Sequence, residues 1–231
     1  ESKEETLATL KEIFIDQKFG GAGQKVLIEE FLTGQEISAF SFVDGENISP
    51  VIGATDYKRA YDGDKGPNTG GMGSYSPPKV WNNDIENTII ENVFEPVIGY
   101  MRSIGNPYTG VLYAGLIVTS DGIKVLEFNC RFGDPETQVL LPRMETDLLS
   151  VMQHTAMSGI SGIDIKWNPR PCVGLVVASN GYPASYSVGK KINGLGRTDT
   201  LVNVFHAGTS LSGDEILTSG GRVLAVTAMS D

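Results

Sequence analysis

Two Asp-Gly steps, Asp44-Gly45 and Asp121-Gly122, each lie between runs rich in apolar and β-branched residues: Ile37 to Val43 and Asn47 to Ile52 around the first, Val111 to Thr119 and Lys124 to Phe128 around the second. Asp-Gly accepts the left-handed backbone that a tight reversal needs, so each step reads as a β-hairpin. Two hairpins commit the chain to an antiparallel sheet, because parallel neighbours need a crossover of about a dozen residues or more. Elsewhere the spacing turns helical. Leu7, Leu10, Ile13 and Phe14 predict a helix over residues 3–16, with Ser2 as N-cap and Glu5 three residues on. Ile85, Ile89, Val93, Val97 and Met101 mark another over 84–103, kinked at Pro96, and a third is expected over 146–157. Gly20, Gly21 and Gly23 end the first helix, and Val26 to Glu30 reads as a short strand. The polar, glycine-rich stretch from Asp56 to Ser76 reads as a long functional loop. The expectation is an α+β fold, an antiparallel sheet with helices on one side. Residues 159–171 read as a linker, with Val173 to Ala178 and Arg222 to Ala228 as strands of a smaller, mostly β unit. The expected domains are 1–165 and 166–231.

Charge and cysteine usage narrow the partners. Asp plus Glu total 28 against 18 Lys plus Arg, a net charge of −10. Nucleic-acid binding through the phosphate backbone needs a basic surface and is excluded on this balance, though a few converging cations can still hold a nucleotide. Cys130 and Cys172 form neither a disulfide framework nor a zinc pattern, which fits a reduced, cytoplasmic setting. No apolar run approaches the ~18 residues of a membrane span, so no membrane partner is expected. The charged start Glu1-Ser2-Lys3-Glu4-Glu5 is no signal peptide, and the missing initiator Met reads as a processed chain or fragment.

The segment Val125-Leu126-Glu127-Phe128-Asn129-Cys130-Arg131 carries the clearest chemistry. Strand alternation puts Glu127, Asn129 and Arg131 on one face and apolar residues on the other. A carboxylate beside an amide oxygen suits Mg²⁺, which takes one or two protein oxygens and completes its shell with water and phosphate. Arg131 can fork onto a phosphate. The spacing alone describes an amphipathic strand with a solvated face equally well. Asp134 and Glu136 after it read, on sequence alone, as the start of a helix. Upstream, Lys58 and Arg59 bring charge to the run from Asp62 to Gly73, whose glycines, Gly70, Gly71 and Gly73 among them, can turn N–H groups toward an anion. The run is neither a Walker A loop nor a dinucleotide fingerprint, and glycine richness by itself more often marks a mobile loop than a phosphate site. Val26 to Leu32 leads into Glu36, and such a strand end can offer backbone groups to an adenine edge, or be a plain solvated turn. His154 and His206 have no Ser or Cys motif beside them, so no hydrolase triad is supported.

Taken together these segments resemble glycinamide ribonucleotide synthetases of the ATP-grasp superfamily. The resemblance rests on Asp62 to Gly73 and Val125 to Gln138, with Ile28 to Leu32, Tyr113 to Leu116, Gly181 to Pro183, Val204 to Thr209 and Gly220 to Leu224 in the same order. It implies the second lobe of an ATP-grasp domain plus a small, truncated C-terminal domain. It also implies ligation of glycine to 5-phosphoribosylamine with ATP and Mg²⁺ or Mn²⁺, through a glycyl phosphate. By the matching positions, Glu127 and Asn129 would hold the metal and Arg131, Lys58, Arg59 and Asp134 would serve the chemistry. Glu29, Glu30, Phe31, Leu32, Glu36, Gly70, Gly71 and Gly73 would meet the nucleotide. The upstream half of such an enzyme would be the missing partner. Thr55-Asp56-Tyr57-Lys58-Arg59 departs from the family's usual Gln-Asp-His-Lys-Arg. The alternatives are another ATP-grasp carboxylate–amine ligase and a non-catalytic nucleotide-binding module.

Overall fold

The structure, a computed structural model, describes residues 2–197 and 201–230. It divides into two units, Glu1–Thr33 and Gly34–Asp231.

In the first unit, helix α1 (Lys3–Phe14) opens on the expected capping box: Glu5 N–H donates to Ser2 Oγ and Ser2 N–H to Glu5 Oε2. The helix stops at Phe14, and Gly20–Gln24 form a single tight helical turn. The strand expected at Val26 to Glu30 is not formed. A strand is held by a partner ladder, none of the strand pairings includes these residues, and Leu27 and Ile28 are 79% and 80% exposed.

The second unit is built on an eight-stranded sheet, ordered β7-β6-β1-β2-β5-β8-β12-β9 and antiparallel throughout. In chain order, β1 (Gln35–Asp44) pairs along its whole length with β6, and β2 is Ile52–Asp56. Then come β3 (Arg59–Tyr61), β4 (Lys65–Asn68) and β5 (Gly73–Ser76). Helices α2 (Asn83–Ile89) and α3 (Glu95–Ser103) follow, then β6 (Thr109–Thr119) and β7 (Gly122–Asn129). The short helices α4 (Thr137–Leu140) and α5 (Leu148–Gln153) precede β8 (Cys172–Ala178). The end of the chain supplies β9 (Val202–His206), the ribbon β10 (Thr209–Ser212) and β11 (Glu215–Thr218), and β12 (Arg222–Met229).

Five expectations are corrected. The first hairpin reverses tightly at Asp44-Gly45, with Asp44 N–H donating to the Asn47 carbonyl and Val43 bridging to Ile48, but the ladder breaks behind it and β2 starts only at Ile52: Pro50 has no N–H for a ladder, and Ser49 Oγ takes the Phe42 N–H. The second hairpin forms as expected, with Gly122 at φ 111°. The stretch from Asp56 to Ser76 is not structureless, since β3 and β4 pair and β5 enters the main sheet. The long helix is broken by a wider turn at Ile90–Phe94, which brings Pro96 into the first turn of α3, where its missing N–H costs nothing. Residues 159–171 are packed, with Ile160 and Ile165 buried and Trp167 bridging to Met144, because apolar residues in that segment cover Phe42 and Val151. Finally, the sheet is covered on both faces. Ile37, Ala39 and Val43 of β1 pack with Ile89, Phe94 and Ile98 of the α2–α3 layer. Phe40 and Phe42 point the other way, onto Val139, Leu140 and Val151. A continuously buried strand of this kind hides which side its helices occupy.

Candidate active site

Register places the chemistry. Ser38 of β1 lies opposite Ala54 of β2 and Gly115 of β6, and Gly115 lies opposite Glu127 of β7. Tyr113 lies opposite Asn129. With side chains alternating along each strand, Asp56, Ser38, Tyr113, Glu127 and Asn129 all stand on one face of four adjacent strands. A register shift between Gly115 and Leu116 leaves Leu126 as an extra residue in β7. β7 is the edge strand, and its other face, with Leu126 at 38% and Phe128 at 40%, is partly exposed.

Asp56, Tyr113, Glu127 and Asn129 line a cavity of about 200 Å³ together with Lys58, Thr69, Gly70, Arg131, Gly133, Asp134 and Glu136. Asn129 Nδ2 donates to Glu127 Oε1 at 3.2 Å, so the pair converges. Arg131 Nη1 donates to the Phe132 carbonyl at 2.8 Å. Lys58 Nζ donates to Glu36 Oε2 at 2.9 Å and lies 4.0 Å from Asp56 Oδ1. Burial alone would depress the Lys58 ammonium, but Asp56 and Glu36 outweigh it and hold the group above the usual lysine range. Glu136 is 4% exposed and accepts from Ser38 Oγ at 3.0 Å, and Ser38 in turn meets the Tyr113 hydroxyl at 3.1 Å. Burial pushes Tyr113 up to about 12.

Burial, then the Asp56 charge, raises Glu136 above 4.5, and burial raises Asp56 above 3.8 despite Lys58. The folded chain therefore holds protons that the unfolded chain releases, and stability falls as pH climbs from the ordinary carboxylate range through the folded values. Glu136→Gln is expected to leave the melting temperature unchanged below about pH 4.5, where both states are protonated, and to raise it increasingly above that. Melts across that range check this; an increment independent of pH would show that the charge is not the cause.

The glycine loop is held from a distance in sequence. Arg222, at the start of β12, donates from Nη1 to the carbonyls of Gly70 (2.7 Å) and Asp134 (2.8 Å), and from Nη2 to Asp134 Oδ2 (3.1 Å). Gly70 N–H donates to the Tyr182 hydroxyl, and Gly71 N–H to Thr69 Oγ1. Those N–H groups are thus engaged within the protein. Gly71 has φ +112°, and a Cβ there would collide with Pro135; Gly73 sits in β5 where a Cβ would press on the Gly174 carbonyl. The two glycines are demanded by close packing between loop, turn and β8.

Of the residues singled out in the sequence, the structure brings Lys58, Gly70, Glu127, Asn129, Arg131 and Asp134 to one cavity. Glu36 touches it through Lys58. Arg59 does not line it: its Nη1 donates to the Gly66 carbonyl and pins the β3–β4 ribbon. Glu29, Glu30, Phe31 and Leu32 belong to the first unit, in irregular chain, with Phe31 84% exposed. Thr55 and Tyr57, the departures from the family pattern, line the adjacent cavity that shares Asp56 and Lys58. Tyr57 there packs on Tyr75 with ring centroids 5.9 Å apart. Sequence reasoning missed Asp56, Ser38, Tyr113, Glu136 and Arg222. All but Ser38 lay inside the segments compared with the family, and for Asp56 and Arg222 a charged residue at the mouth of a strand was the available signal.

An antiparallel sheet whose edge strand offers a carboxylate and an amide to a cavity rimmed by a lysine and an arginine is an ATP-grasp arrangement. The comparisons agree: the ATP-grasp (A) domain of phosphoribosylglycinamide synthetase matches residues 1–137 and its C domain residues 172–231. The chain belongs to the phosphoribosylglycinamide synthetase family. It is 48% identical over 228 residues to the phosphoribosylamine–glycine ligase of Vibrio parahaemolyticus, covering 98% of this chain and 53% of that protein. It is 48% identical over 232 residues to the trifunctional purine biosynthetic protein adenosine-3 of Gallus gallus, covering 100% of this chain and 23% of that one. The crystal structure of phosphoribosylamine–glycine ligase from Thermotoga maritima superposes with a TM-score of 0.84 at 33% identity, over 99% of this chain and 56% of that one. The biotin carboxylase domain of a thermophilic 2-oxoglutarate carboxylase shares the fold, with a TM-score of 0.66 at 14% identity, over 99% of this chain and 50% of that one. The chain spans about half the length of the curated phosphoribosylamine–glycine ligases it matches.

Proposed function

We propose that this chain is the metal- and phosphate-holding portion of a ligase that joins glycine to 5-phosphoribosylamine with ATP, giving glycinamide ribonucleotide, ADP and phosphate. The observation that carries the reading is the convergence of Glu127 and Asn129 with Lys58 and Arg131 on one cavity. The donor set fits Mg²⁺ or Mn²⁺: two hard oxygens side by side, with no cluster of three or more His, Cys, Asp or Glu side chains among the described residues. Glu127 and Asn129 would hold the ion, which when bound supplies charge neutralisation for phosphate oxygens. Lys58 and Arg131 would steady the phosphoryl group as it passes to the glycine carboxylate. Asp134, tied to Arg222, would set the wall behind it. Such catalysis is positioning and electrostatics and needs no covalent protein nucleophile. Glu29, Glu30, Phe31 and Leu32 would meet adenine and Glu36 the ribose. Gly70 would line the phosphate end, supported by Gly71 and Gly73, and Arg59 would order the loop on the substrate side.

The division into an ATP-binding part, 1–165, and a small C-terminal part, 166–231, fits the gap between the two matched stretches. The upstream half carried by the relatives would be the working partner. No described helix is long and apolar enough to cross a membrane, and a cytoplasmic setting goes with the proposed pathway. The test is ADP release with Mg·ATP, glycine and freshly made phosphoribosylamine, each omitted in turn, by the chain alone and by the chain joined to that upstream half. The joined form is expected to release ADP only when all three are present. Release that does not need glycine, or that prefers another amino acid, overturns the reading.

A further inference from the structure

A cavity of about 310 Å³, sharing no residue with the candidate active site, opens beside β2 and the start of α2. Its walls are apolar: Ile52, Pro77, Trp81 and Trp167, with the Trp81 ring so close on Gly53 that a Cβ there would collide. Two charges of opposite sign stand on it. Arg143 is 6% exposed. Its Nε donates to the Asn168 carbonyl at 3.1 Å and its Nη1 to Ser76 Oγ. A guanidinium has five N–H donors, so three are left with no protein acceptor among the described residues. No described carboxylate lies within ion-pair distance of it. Its titratable neighbour is Cys172, a buried thiol pushed up to about 11 and therefore neutral. The Trp167 indole N–H is also buried without a partner. Glu86, also on the cavity, makes no ion pair with Arg143.

A buried cation without a counter-ion is costly, and so is a buried orphan donor. Both are relieved by one added acceptor that carries negative charge. A dianion would meet Glu86. A molecule with a carboxylate at one end and an ammonium at the other satisfies both poles, and an apolar side chain matches the walls. We propose that this cavity binds a small α-amino acid with an apolar side chain, its carboxylate on the unused N–H groups of Arg143 and its ammonium toward Glu86.

Calorimetric titration of the chain with L-leucine, with isocaproate (the same molecule without the amine) and with isoamylamine (without the carboxylate) tests this. No ATP is present, so the result is separate from the ligase reaction. Leucine is expected to bind saturably and each half-molecule about tenfold more weakly or worse, the effect of one charge-assisted contact. Glu86→Gln should weaken leucine about tenfold and leave isocaproate unchanged, while Arg143→Met should weaken both. Should Arg143→Met fail to fold, the part-exposed Glu86→Gln decides the matter, with Trp167→Phe, which removes the orphan N–H together with part of the cavity wall, as a second variant; both are expected to bind leucine less well. Absence of saturable leucine binding overturns the proposal. So does isocaproate binding as tightly as leucine, which would make the cavity a plain anion site.

Discussion

Glu127→Gln is expected to raise the Mg²⁺ concentration needed for nucleotide binding by about 100-fold, with Mn²⁺ affected alike. Partners that only orient a metal ligand already matter 10–100-fold, so loss of the charged ligand falls at or beyond the top of that range. The substitution is close to isosteric, and the new amide oxygen can still accept from Asn129 Nδ2 as Glu127 Oε1 does. β7 keeps its pairing with β6, because that rests on the backbone. What is lost is one negative charge on an edge strand where no other carboxylate neighbours it closely enough to take over: Glu136 is occupied with Ser38, and Asp56 lies beside Lys58. Metal titrations monitored by fluorescence of a bound nucleotide analogue, with and without the substitution, give the measurement. An unchanged half-saturating Mg²⁺ concentration would remove Glu127 from the metal site and with it the main support for the ligase reading.

The readable part of this fold was the part coded locally. The capping box at Ser2 and Glu5, the Asp121-Gly122 hairpin and the alternation of Glu127 with Asn129 each depend on a few neighbouring residues, and each stands where the pattern put it. Long-range pairing was not readable. Lys58 and Glu136 are 78 positions apart in number yet line one cavity, because β1 sits between β2 and β6 in the sheet. The glycine loop shows a second limit. Glycine is required at 71 by its positive φ and by Pro135, a turn far along the chain, so composition alone could not separate a phosphate cradle from a packing joint. Val26 to Glu30 shows a third: apolar content announces burial or pairing, but a strand exists only with a ladder beside it.

Arg222→Met, in the chain joined to the upstream half, is expected to lower the proposed ligase turnover by about 100-fold while leaving the Mg²⁺ dependence nearly unaltered. Arg222 stands at the mouth of β12, in the stretch matched by the C domain, yet its fork holds the carbonyls of Gly70 and Asp134 from opposite rims of the cavity. The ion pair with Asp134 Oδ2 adds little, since that carboxylate is 52% exposed and screened. The two carbonyl bonds carry the effect: charge-assisted bonds contribute about 1.5–3 kcal/mol each, so losing both at the lower figure costs about 3 kcal/mol, or about 100-fold. Met keeps an apolar stem of similar length and removes the guanidinium that packs beside Gly70 and Gly71. Arg222 acts as a positioning residue: it orders the loop carrying Gly70 and the turn carrying Asp134 without bonding to Glu127 or Asn129 itself. Two readouts follow from that. The half-saturating Mg²⁺ concentration should stay near that of the unaltered chain, unlike the case of Glu127→Gln. Arg222→Lys should recover only part of the loss, because an ammonium supplies the charge but lacks the rigid planar guanidinium that reaches both carbonyls from Nη1 and Asp134 Oδ2 from Nη2 at once. Full recovery by lysine would mean that charge alone is needed at this position, and undiminished turnover in Arg222→Met would free the C-terminal strand from any part in the site.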